Sequence, residues 1–427
     1  MNRFMLGVAA SLIAVGAAKA EDVTLQLWTW YPSEAVLTKI IDGFEAANPG
    51  VQINLNLMES TAYQDKMPLA LSSGDPMDVV AVQTSTMVNL VKDGLEPLPA
   101  LFEANGSAPI DTLLSASALT QARSLASDGE LYIAPMGVLG SVAMYYNADL
   151  MAELGLEIPR TRADLADFVA TVREKRPDLE PISFTGANWF LDEITLTIAE
   201  QASPGFFNSV RYNTGGKWDS PEYTKAYDAI VGLYKDEIFS RQTLDLDYGR
   251  AAELFQQGTA VAYMQGTWET GYLSAPFRAA NKITLTNVVA SGLPVMFEGA
   301  APSIRSFIEV AWAVPKQSAH KDLATKFIEY VTAGAGVDAW SDTLFVVPAK
   351  MGATIPEGVF SSDAAKASYN ELAALLLAPG SDRNNVSDFS AAAGDAIIAS
   401  INSGTATADQ VKYLQAEWDS GRYSNAN

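Results

Sequence analysis

The chain has 427 residues, 48% apolar and 18% charged, which is enough material for more than one buried core and unlike a disordered or fibrous composition. Its 50 acidic and 28 basic residues give a net charge of −22, a surface that repels nucleic acid and anionic lipid and leaves the ligand open. There is no cysteine and one histidine, His320, so disulfides, thiolate metal sites and histidine-rich metal centres are excluded, and neither metal nor cofactor is expected.

In chain order, residues 1–20 come first. Arg3 gives a positive start, 4–18 is an apolar run, and Ala18-Lys19-Ala20 fits the small-x-small cleavage rule, which predicts a secretory signal peptide with Glu21 as the first mature residue. Loss of Arg3 and Lys19 with that segment takes the net charge from −22 to −24. The run falls short of the ~20 residues that span a bilayer. Without a cysteine to carry a lipid anchor, the expectation is a free, monomeric periplasmic protein of a two-membrane bacterium.

Residues 23–27 alternate apolar and polar and predict a strand. After Trp28-Thr29-Trp30-Tyr31-Pro32, Ser33 stands where a helix N-cap belongs, and Leu37, Ile40, Ile41 and Phe44 share one helical face before Pro49-Gly50 stops the helix. Val51, Ile53, Leu55 and Leu57 alternate again, completing a strand–helix–strand unit of the kind that builds parallel sheets. A helix is expected over 63–72, with Pro68 kinking it or marking its true start. A strand over 78–82 then ends at Gln83-Thr84. The stretch Ile133-Ala134-Pro135 reads as a crossing between lobes, and a strand over 142–146 leads to Asn147 at a helix start. Thr161 and Asp164 form a capping box for a helix burying Leu165, Phe168, Val169 and Val172. A helix over 251–257 ends at Gly258, and a strand over 259–265 runs into Gly266-Thr267-Trp268-Glu269. A strand over 307–314 closes at Pro315, and Leu323, Phe327, Ile328 and Val331 make a further helix face. Thr407 and Gln410 are expected to box the start of a last helix carrying Val411, Leu414 and Trp418. Strands alternate with helices throughout, so the class is α/β.

Several segments together resemble the family 1 extracellular solute-binding proteins, the group that includes the maltose-binding protein. They are the opening strand with Trp28-Thr29-Trp30, the helix ending Phe44-Glu45-Ala46-Ala47-Asn48-Pro49-Gly50, and the turn from Leu71 to Val79. They continue with Met144 to Leu150 followed by Leu154-Gly155, with Phe255 to Val261 running on to Gly266-Thr267-Trp268, and with Ala313-Val314-Pro315-Lys316. No single segment is specific; their order and spacing are. The resemblance implies two α/β lobes joined by two or three hinge strands, with the ligand in the cleft between them. By analogy the first lobe holds 21–132 and a return segment, 306–345; the second holds 133–305 and the C-terminal helices, 346–427. It further implies an ABC sugar importer with an inner-membrane permease as partner. Pro68 departs from the pattern.

A sugar site needs flat aromatic faces for C–H patches and fixed polar groups for hydroxyls. In open α/β sheets ligands sit beyond the carboxyl ends of the strands. Trp30, Tyr31, Gln83, Thr84, Trp268 and Glu269 all stand at such ends. Trp28, inside a strand, reads as core, while Trp30 and Tyr31 fit cleft or packing equally. The resemblance places stacking aromatics at Trp268 and in a loop at Asn188-Trp189-Phe190, and a weaker aromatic contact at Ser387-Asp388-Phe389, on Phe389. Arg305 either binds a sugar hydroxyl or carboxylate or pairs with an acid on the surface. Two alternatives remain: the same fold holding an anionic metabolite such as a glycerol-phosphate ester, which would demand several converging cations, and an exported glycoside hydrolase, which would need two carboxyl groups ~5 Å or ~6.5–9.5 Å apart. The sequence has no Gly-x-Ser-x-Gly elbow and no phosphate-binding glycine loop.

Overall fold

In the computed structural model the described residues are 23–378, 380, 382–383 and 387–423. The proposed signal segment, residues 1–20, lies outside them.

Among the described residues, twelve short strands fall into three sheets. The first joins β1 (Val23–Thr29), β2 (Val51–Leu57), β3 (Val79–Gln83), β4 (Ala134–Pro135) and β11 (Val310–Ala313) in the order β2-β1-β3-β11-β4. The second joins β6 (Ala143–Asn147), β7 (Glu180–Ser183), β8 (Ala260–Gln265) and β9 (Val288–Gly292) in the order β7-β8-β6-β9. Between them runs a three-stranded sheet, β10 (Ser306–Phe307), β5 (Gly137–Gly140) and β12 (Val347–Pro348). The chain leaves the first sheet through β5, returns to it through β10 and leaves again through β12. Each sheet is flanked by helices, so the molecule is two α/β lobes with a narrow connecting sheet.

The opening unit follows from its pattern. β1 pairs parallel with β2 from Val23↔Val51 to Thr29↔Leu57, and with β3 at Leu27↔Val79 and Trp28↔Val80. The Glu34–Ala47 helix crosses between β1 and β2 and buries Val36, Leu37, Ile40, Ile41 and Phe44. A parallel pair requires such a crossover. The next helix, Ser60–Ser73, starts three residues earlier than expected, because the Glu59 carboxylate caps it by accepting from Ala62 N at 3.1 Å. Pro68 lies inside it, and Gly74 ends it at φ 77°, a left-handed cap that glycine adopts without a Cβ penalty. The capping box at Thr161 and Asp164 forms as expected.

Two local expectations are corrected. The strand expected over 307–314 is two strands, because β10 pairs with β5 in the connecting sheet whereas β11 pairs with β3 and β4. The chain changes partners at Ile308–Glu309, and a single straight strand cannot serve both sheets. At the last helix, Thr407–Asp419, Ala406 occupies the N-cap position. The Thr407 hydroxyl donates instead to Asp228 Oδ1 at 2.5 Å, so no capping box forms there.

The described residues bury two large apolar clusters. One contains Trp28, Trp312 and Trp340 and extends from the first lobe under the connecting sheet; the other contains Trp218, Phe190 and Phe389 and fills the second lobe. Among the described residues no helix is long and apolar enough to cross a membrane.

Candidate functional site

The first wall of the site is built at the carboxyl ends of β1 and β3. Trp30 and Tyr31 leave β1 half-buried, Trp30 lying 5.1 Å from the Tyr63 ring and Tyr31 4.9 Å from the Phe345 ring. Burial, and then the nearby Glu309 carboxylate, push the Tyr31 phenol well above its ordinary pKa, so it stays a neutral hydroxyl. Gln83 Nε2 donates to Glu309 Oε1 at 3.0 Å. Thr84 is buried, and its hydroxyl donates to the Ile308 carbonyl. Both residues therefore attach this wall to the break between β10 and β11.

The opposite wall belongs to the second lobe. Asn188-Trp189-Phe190, expected as a loop, is the first turn of a helix, Asn188–Ala202. Asn188 Nδ2 donates to Asp395 Oδ1 at 2.7 Å on the Ser387–Ser403 helix, so this side chain ties two helices together. Trp189 is half-exposed, and its ring lies 6.3 Å from the Trp268 ring at 41°. The resemblance thus named two indoles that the fold brings together. Trp268 stands just after β8, in the short helix Thr267–Leu273, and its ring folds over Gly266, where an added Cβ would come within 2.1 Å of it. Glycine at 266 lets the indole lie flat across its own backbone.

Glu269 is held by tyrosines. Tyr248 donates a hydrogen bond to Glu269 Oε1, and Tyr272 is also hydrogen-bonded to this carboxylate. Burial nevertheless raises the Glu269 pKa, the tyrosine bonds opposing it. Tyr248 is exposed and hydrogen-bonds the Trp268 side chain, which widens the aromatic surface.

Arg305 and Phe389 require correction. Arg305 is fully buried; its Nη2 pairs with Glu193 Oε2, both side chains are 0% exposed, and its guanidinium lies 4.6 Å from the Phe207 ring. It is therefore spent on an internal acid. Phe389 is 2% exposed and packs against Trp218 at 4.7 Å and Trp418 at 5.0 Å, in the core of the second lobe.

Residues missed from sequence close the site from below. Phe307 and Glu309 flank the break between β10 and β11. Arg383 N donates to the Ser306 carbonyl at 2.9 Å, which fixes that residue beside β10. Its guanidinium lies 4.8 Å from the Phe307 ring and 5.5 Å from the Trp268 ring. A small pocket there is lined by Thr84, Gln121 and Leu125 from the first lobe, by Phe307 and Ile308, and by Asp382 and Arg383. No periodicity marks Arg383, which sits in a loop; only the fold carries it to the indoles. A larger open groove on the outer side of the second lobe, near Arg173, Tyr234 and Arg241, lies away from every strand end considered above. Among the described residues no group of three or more His, Cys, Asp or Glu is placed to hold a metal ion.

Two α/β lobes, three short connecting strands and a half-open aromatic cleft at the strand ends define a two-lobe solute receptor. The sequence profile of the bacterial extracellular solute-binding proteins matches residues 30–338, and the chain belongs to that family. It is 25% identical over 280 residues to the diacetylchitobiose binding protein DasA of Streptomyces coelicolor, a match spanning 62% of this chain and 62% of the length of that relative. Among solved structures it superimposes on the sugar-binding protein MalE of the phytopathogen Xanthomonas citri with a TM-score of 0.73 at 18% identity, covering 93% of this chain and 97% of that one. It superimposes likewise on a chitin oligosaccharide binding protein, with a TM-score of 0.69 at 18% identity over 93% and 98% of the two chains. At these identities the two superpositions establish the two-lobe fold.

Proposed function

We propose that this chain is the periplasmic substrate-binding component of an ABC sugar importer, which binds a carbohydrate between its lobes and delivers it to an inner-membrane permease without chemical turnover. The observation that carries this reading is the Trp189–Trp268 pair, two half-open indoles 6.3 Å apart on the second lobe. Indole faces suit the C–H faces of sugar rings, and Gln83, Glu309 and Glu269 supply polar partners for hydroxyls. The names of the relatives, a diacetylchitobiose receptor and a sugar-binding MalE, support the same ligand class. The resemblance sets the lobes at 21–132 with 306–345 and at 133–305 with 346–427; because Ala134 and Pro135 pair with β11 in the first sheet, and so do not cross between lobes, we propose that the first lobe runs on through β4, with β5, β10 and β12 as hinge strands.

An anionic metabolite is disfavoured, because Arg305, the cation named for it, is consumed by Glu193. A hydrolase is disfavoured because the matching family consists of solute-binding proteins. A panel of mono- and oligosaccharides screened for a rise in melting temperature, with the mixtures then examined for products, tests both points. The expected result is stabilisation by at least one sugar and recovery of that sugar intact. Cleavage that disappears in Glu269→Gln would establish the hydrolase instead.

A further inference from the structure

Arg383 is held more firmly than an exposed loop residue. Its Nε donates to Glu193 Oε1 at 2.5 Å, while the other oxygen of that carboxylate is taken by Arg305. Glu193 is 0% exposed, and the two arginines hold its pKa below the usual glutamate range against the effect of burial. The acid is therefore a fixed, ionised clamp. The guanidinium is planar, so fixing Nε fixes the direction of the two Nη groups. Among the described residues neither Nη has a protein acceptor, and the Arg383 side chain is 22% exposed. Its Cζ lies 5.5 Å from the Trp268 ring, and the residue lines the pocket shared with Thr84 and Gln121 of the first lobe. A pre-oriented, partly buried fork of donors thus stands over the Trp268 ring.

We propose that Arg383 is a ligand-binding and specificity-determining residue, whose Nη groups donate to neighbouring hydroxyls of a neutral sugar lying on Trp268. The proposal rests on the carbohydrate reading above and narrows it to a subclass. A planar fork matches two adjacent oxygens, as a vicinal diol presents them. Neutrality follows from the surrounding charges. Glu193 offsets the guanidinium directly, and Arg305 is buried and paired. A phosphate or carboxylate would bring a full charge to a site with one reachable cation, already neutralised.

The test uses the full mature chain and titration calorimetry with maltose, xylobiose, N,N′-diacetylchitobiose, galactose and galacturonate. Galactose and galacturonate differ mainly in charge, so their ratio reports the neutral preference. The expected result is that the tightest neutral sugar loses about 10- to 100-fold in affinity in Arg383→Met and in Arg383→Lys, the range for hydrogen bonds to a charged group. Arg383→Lys keeps a cation beside Glu193, so its melting temperature should stay near that of the parent. Galacturonate should bind more weakly than galactose to the parent and also to Arg383→Met, which removes a positive charge and so cannot favour the anion. Unchanged sugar affinity in a folded Arg383→Lys overturns the inference and leaves the carbohydrate reading standing. Arg383-dependent preference for galacturonate overturns the neutral assignment. Failure of every sugar to bind the parent protein removes the carbohydrate reading itself, and this inference with it.

Discussion

Trp268 is half-buried, with its ring against Gly266, 6.3 Å from the Trp189 ring and 5.5 Å from the Arg383 guanidinium. Truncating it removes a stacking face without opening either large core. Trp268→Ala should weaken sugar binding by roughly 1–3 kcal/mol, or about one to two decades in Kd, with a small change in unfolding midpoint. A core residue would behave oppositely, costing ~3–5 kcal/mol of stability. Gly266 gives an independent check. A methyl at 266 would meet the indole at 2.1 Å, so Gly266→Ala should displace Trp268 and reproduce most of its affinity loss while leaving the ring in the protein. Trp fluorescence on ligand addition would follow both variants; normal affinity in Gly266→Ala would contradict this account of the ring. Arg305 has the reverse character. Replacing it by Met leaves a fully buried Glu193 with Arg383 alone, and breaking such a pair costs about 3–5 kcal/mol. The loss should appear in denaturant midpoint.

At the scale of the element, the Asn188–Ala202 helix is the least ordinary. Residues 190 to 201 are buried on every face, between the Pro221–Lys235 and Ser387–Ser403 helices. Its polar side chains are spent internally. Glu200 accepts from Gly205 N at 2.7 Å and Phe207 N at 2.9 Å, and Gln201 donates to the Leu293 and Pro294 carbonyls. Asp192 accepts from Ser390 Oγ at 2.7 Å, and burial raises its pKa from 3.8 to about 7, opposed by that bond and by Arg305 and Arg383, with Glu193 adding to the rise. A carboxyl whose folded pKa is raised stabilises most below its unfolded value, and that contribution fades as pH climbs from about 4 to about 7. Asp192→Asn should therefore flatten the stability profile across that window and raise stability above pH 7, by up to a few kcal/mol. Glu193 has the opposite sign: its lowered pKa makes its contribution fall away on acidification. Melting curves at pH 4.5, 6 and 8 separate the two. A variant less stable than its parent at pH 8 would refute the assignment for Asp192.

For the whole molecule, the connecting sheet is thin: β10 and β12 have two residues each and β5 four. So few backbone hydrogen bonds allow one lobe to rotate on the other, and a ligand touching both walls favours the closed arrangement by its extra contacts there. Binding should shrink the radius of gyration in small-angle scattering. At a ligand concentration of a hundred times Kd it should add about 2.7 kcal/mol to unfolding. Ligand-induced stabilisation with an unchanged radius would argue against closure.

The sequence by itself determined the class, the strand–helix–strand opening, the helix starts at Ser33, Asn147 and Thr161 and the residues at strand ends, because alternation, helical spacing and caps are local properties of the chain. The Thr161 box formed since both partners lie within one turn. The Thr407 box failed because Asp228, distant in sequence, competes for the same hydroxyl. Trp189 and Trp268 were legible through a resemblance carried by local motifs, but their meeting at 6.3 Å was not. Only the tertiary structure decided that Arg305 is buried with Glu193, that Phe389 belongs to a core, and that Arg383 lies beside the Trp268 ring. Each outcome depends on contacts between segments more than eighty residues apart, where burial and charge pairing, rather than the pattern of the neighbouring residues, fix what a side chain can do.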